Sequence, residues 1–92
     1  MKVTFRLAAP LRPFAGGQSE VTIRTTAETL AGVLGALGKR HEELVEQIVD
    51  QEGRLGLGVV VFIGDRDARF LGGLEAELAD GDVVTFVVPQ AV

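Results

Sequence analysis

His41 is the one histidine of the chain and the first candidate for a general base. It heads a polar stretch and has no orienting partner set by sequence, so it reads as a helix-terminal surface residue. Asp65 with Asp67, and Asp80 with Asp82, are carboxylate pairs of the kind found in metal loops. Each lacks the further oxygen ligands that a calcium loop needs, and turn formation accounts for both. Gly53-x-x-Gly56-x-Gly58 has the glycine density of a phosphate loop. It precedes a strand instead of following one into a helix, so it reads as a turn. Glu42, Glu43 and Glu46 fall at the spacing of a solvated helix face.

No nucleophile, base and orienter can be assembled from these residues, which predicts a substrate of enzymes rather than an enzyme. The sequence has no Cys, which excludes disulfides, thiolate zinc sites and cysteine nucleophiles, and no metal or cofactor is expected. A formal net charge of −4 argues against a nucleic-acid footprint and suits an acidic protein meeting a basic partner surface. No basic and apolar leader precedes Val3, and the apolar run from Val59 to Ile63 is far below the roughly 20 residues of a membrane span. A soluble cytoplasmic protein is the expectation. Ninety-two residues can bury about 60–70% of their unfolded surface, enough for one core without staples.

The elements follow from hydrophobic period. Val3, Phe5 and Leu7 alternate with Lys2, Thr4 and Arg6 as in a half-buried strand. Pro10, Pro13 and Gly16-Gly17 predict a loop rather than a helix, and Val21 and Ile23 a second strand pairing with the first as a long hairpin. Leu30, Val33, Leu34 and Leu37 then lie at helical spacing, with Thr26 or Thr29 as cap and Gly38 as terminator. His41 to Asp50 predicts a weaker second helix. Val59 to Ile63 is a strand apolar on both faces, Arg69-Phe70 a brief edge strand, and Val83 to Val88 the last strand, stopped by Pro89.

Parity divides these strands into two faces. With Val84, Phe86 and Val88 turned to the helix, alternation sends Arg6, Val60, Phe62, Thr85 and Val87 to the other face. An apolar patch with a charged member and only one helical layer to hand is the mark of a partner-binding surface.

The closing run Asp80-Gly81-Asp82-x-Val84-x-Phe86, followed by an apolar segment and Pro89, resembles the end of the ubiquitin-like sulfur carriers of the MoaD/ThiS family. Leu11-Arg12-Pro13-Phe14-Ala15-Gly16-Gly17-Gln18 and Asp67-Ala68-Arg69-Phe70-Leu71-Gly72-Gly73-Leu74 are similar to the cysteine-biosynthesis member of that family. With the order of elements, the resemblance covers nearly the whole chain.

The resemblance implies an α+β protein of the β-grasp (ubiquitin-like) fold, a mixed sheet of four to five strands with one main helix on one face. Residues 1–92 would form a single domain with 89–92 as its tail. It further implies a C-terminal carboxylate adenylated by an E1-like ATP-dependent enzyme and converted to a thiocarboxylate. Sulfur would then pass to an accepting enzyme of the cysteine synthase type. The small subunit of molybdopterin synthase is the alternative within the family, with that synthase's large subunit as acceptor. Val88, Pro89, Gln90, Ala91 and Val92 would be the carrier tail. Family members end in Gly-Gly; aligned without gaps, Val92 stands at the first glycine and the second is missing. A β-grasp interaction module without carrier chemistry is therefore the alternative outside the carrier class.

Overall fold

The computed structural model describes residues 1–56 and 58–88. Strand β1, Lys2–Leu7, and strand β2, Glu20–Arg24, pair antiparallel from Lys2 opposite Arg24 to Arg6 opposite Glu20. Their connection is not the irregular loop expected: Ala9–Ala15 winds as a 3-10 helix. Pro10 occupies its first turn, where the missing N–H costs nothing, and proline's fixed φ already suits the winding. Leu11 and Ala15 are buried by it, and Gly16 closes it at φ 66°.

Helix α1, Leu30–Gly38, begins where the Thr29 hydroxyl accepts a hydrogen bond from the Gly32 N–H at 3.2 Å. Leu30, Val33, Leu34 and Leu37 are buried, as their spacing requires. The helix stops at Gly38, yet without a left-handed turn. Lys39 keeps right-handed angles, and the chain runs directly into helix α2, Glu42–Ile48, which buries Leu44 and Ile48. Glu42 and Glu43 stand in the first turn of α2, where the helix dipole favours negative charge.

Strand β3 is Val60–Ile63, one residue shorter than the apolar run. Gly64 turns at φ 64° into strand β4, which is Arg66–Asp67 rather than the expected Arg69-Phe70. The reason lies in Asp67. Its carboxylate accepts from the Arg69 backbone N–H at 2.9 Å and so caps a 3-10 turn, Ala68–Leu71, ending the strand. Strand β5 is Val83–Val87.

The sheet order is β2-β1-β5-β3-β4, with β1 and β5 parallel at its centre and the other pairs antiparallel. A parallel pair of first and last strands, bridged by a helix across one face, is the β-grasp arrangement. Val3, Phe5, Leu7, Val21, Ile23, Val61, Ile63, Val84 and Phe86 are all buried beneath the helices, while Val59 and Val88 are half-buried against the same core. Phe5 and Phe86 stack across the central pair, with ring centroids 5.6 Å apart. No helix of the described residues is long and apolar enough to cross a membrane.

Candidate functional site: the outer sheet face and the end of the last strand

Pairing register assembles the predicted face. Arg6 and Phe62 both lie opposite Thr85, so the two edges of the patch meet over the middle of β5. Val60 lies opposite Val87 one pleat further on, at the end of the sheet where the chain continues into residues 89–92. Val60, Phe62 and Thr85 are half-buried, and Arg6 and Val87 are exposed. All five predicted residues therefore share one surface, none covered by a helix. The predicted tail divides: Val88 is half-buried against the core, and Pro89, Gln90, Ala91 and Val92 lie outside the described residues.

The surroundings are polar and light in energy. Arg6 lies 3.7 Å from Glu20, an exposed pair of the kind that contributes little. The Thr4 and Thr22 hydroxyls are 3.3 Å apart. The charge of this face differs from what the whole chain suggested. Lys2, Arg6 and Arg24 are exposed on its β1 and β2 strands, while Glu42, Glu43 and Glu46 are exposed on α2 across the molecule. Glu20, exposed on β2 opposite Arg6 and paired with it, offsets part of that charge, so the β1 and β2 face is mixed with cations in excess.

The other candidates take structural roles. The Asp80 carboxylate accepts from the Lys2 N–H at 2.7 Å, and that of Asp82 from the Ala79 N–H at 2.8 Å. Both carboxylates therefore shape the turn that feeds β5. Asp67 caps its own turn, and Asp65 stands exposed in the turn between β3 and β4. Gly53 and Gly58 take positive φ in the connection to β3, and His41 precedes α2 without a side-chain capping bond.

Sequence reasoning missed one corner. Phe70 is 83% exposed beside the end of β4, and the Arg69 guanidinium carbon lies 5.9 Å from its ring centroid. Arg69 forks onto the Asp67 carboxylate at 2.8, 3.1 and 3.2 Å, which holds Asp67 below the ordinary carboxylate range and raises Arg69. The signal available was Asp67 two residues before Arg69, an Asx-turn spacing inside a segment read as strand.

Comparison with known proteins gives consistent findings. Residues 5–91 match the ThiS family. The sulfur carrier protein CysO of Mycobacterium tuberculosis is 36% identical over 89 residues, covering 95% of this chain and 94% of that protein. A chain of the crystal structure of the Amycolatopsis orientalis BexX/CysO complex superimposes with a TM-score of 0.88 at 32% identity, covering 98% of both chains. The crystal structure of M. tuberculosis CysO gives 0.84 at 34% identity, covering 96% of this chain and 99% of that one.

Proposed function

The chain belongs to the ThiS family, and from that premise we propose that it is a sulfur carrier serving cysteine biosynthesis. The observation that carries this reading is the likeness to CysO over 95% of the chain. In the reaction sequence, a terminal carboxylate oxygen attacks the α-phosphorus of ATP on an E1-like enzyme, giving an acyl adenylate and pyrophosphate. Hydrosulfide-level sulfur then replaces AMP at the acyl carbon, leaving a thiocarboxylate whose sulfur attacks an electrophilic acceptor. The chain serves as substrate and handle throughout, in the cytoplasm, with the described residues as the body and 89–92 as part of the arm.

Two features of the fold support that division. β5 is the central strand, locked between β1 and β3, so an arm leaving it is anchored by hydrogen bonds on both sides. Arg6, Val60, Phe62, Thr85 and Val87 form the docking face beside its exit. The chemistry asks for a glycine carboxylate at the end of the mature chain, since a terminus without Cβ passes a narrow channel in any backbone conformation; residues 90–92 are Gln90-Ala91-Val92.

ATP–pyrophosphate exchange by the purified E1-like enzyme of the same organism tests the proposal on the chain extended by Gly-Gly. Exchange is expected, and Phe62→Asp should raise the KM for the carrier about tenfold or more, as for a central interface residue. Val87→Asp, at a more exposed position, serves should Phe62→Asp not fold. Binding without exchange would favour an interaction module over a carrier, and an unchanged KM in both variants would remove this face as the interface.

A further inference from the structure

Phe70 and Val87 are the large apolar side chains that stand exposed among the described residues, at 83% and 41%. Register points β4, which leads into the turn bearing Phe70, toward the end of the sheet that holds Val87. β4 runs antiparallel to β3, with Arg66 opposite Ile63 and Asp67 opposite Phe62, so the chain beyond Asp67 heads toward Val60. Val60 pairs with Val87, the last residue of β5.

Phe70 lies outside the buried core, and leaving such a ring in water forgoes the gain from burying it. Its position is nevertheless fixed. Ala68 is buried under the turn, the Asp67 carboxylate holds the Arg69 backbone N–H and guanidinium together, and Gly72 closes the turn at φ 108°. Arg69 in turn lies over the ring. A rigid aromatic with an arginine beside it loses little entropy on docking, which is the composition of an interface anchor.

We propose that Phe70, held by the Asp67–Arg69 pair, is the anchor that seats this chain on the enzyme activating its terminal carboxylate, in an apolar slot. The inference rests on the carrier reading, because an enzyme that receives the tail must approach the end of the sheet where Phe70 and Val87 lie.

The test is pyrophosphate exchange with the Gly-Gly-extended chain and the purified E1-like enzyme, alongside sedimentation of the carrier alone. Phe70→Ala should raise the KM for the carrier about tenfold or more, leave kcat within about twofold, and leave the urea midpoint unmoved. Phe70→Trp should restore the KM. A KM for Phe70→Ala within about twofold of the unsubstituted chain would overturn the anchor while the carrier reading stands. The same holds if Phe70→Ala instead dissolves a self-associated form at unchanged KM, because the ring would then belong to a contact between copies. No exchange by the unsubstituted chain would overturn both.

Discussion

Asp67 carries more of the local structure than its place in a two-residue strand suggests. It ends β4, caps the following turn and forks to Arg69, with its side chain only 12% exposed. Hydrogen bonds from the Arg69 side chain, then from its backbone, favour the charged form, so the folded-state pKa lies below the unfolded one. The sign follows: the stability this carboxylate contributes is present above the unfolded pKa and is lost as pH falls through the depressed folded value. Asp67→Asn should therefore be less stable than the unsubstituted chain at neutral pH, by a small margin that shrinks with salt because Arg69 is exposed. The two urea midpoints should converge in strong acid. A gap independent of pH would show that the carboxylate charge does not matter. Phe5, Phe86 and Phe62 were legible from alternation alone, since a strand's period assigns a face to every residue. Phe70 was not, because a bond from Asp67 to the backbone two residues on leaves no periodic trace and rewinds the chain where alternation predicts a strand.

Helix α1 shows the same limit at the level of elements. Its buried stripe and Thr29 cap follow from spacing and residue type, but two of its glycines, similar in sequence, differ in surroundings. A Cβ on Gly32 would lie 2.7 Å from the Ala27 Cβ, a rigid neighbour in the segment leading into the helix, whereas one on Gly35 would meet nothing within 4 Å. Gly35→Ala should stabilise the protein by about 0.5–1 kcal/mol through helix propensity. Gly32→Ala should forfeit that gain and destabilise it, because the clash displaces the capped first turn. Equal gains in urea denaturation would mean that Ala27 yields freely. The 3-10 helix at Ala9–Ala15 is hidden for a related reason: its two prolines lack donors, which argues for a loop, yet the φ they fix suits the winding. α2 falls inside the stretch from His41 to Asp50 whose weaker period predicts it, whereas β4 depends on pairing with β3, which no local window contains.

For the molecule as a whole, topology and charge distribution describe one device. β1 and β5 lie side by side at the centre, so β5 ends between two hydrogen-bonded neighbours. One face of that sheet is sealed by α1 and α2, and the other is left open with cations on β1 and β2. Net charge read from composition is a sum over the whole chain; only the fold could show that Lys2, Arg6 and Arg24 share the open sheet face with Glu20 while Glu42, Glu43 and Glu46 stand on α2. The proposed carrier role requires a terminal carboxylate that exchanges oxygen for sulfur. Intact mass of the protein isolated from its native cells, before and after incubation with the E1-like enzyme, ATP and a sulfur donor, reads that exchange directly. The account predicts a chain ending in glycine that gains the mass difference between sulfur and oxygen only when ATP is supplied. A native chain that ends at Val92 and shows no ATP-dependent change in mass would contradict it.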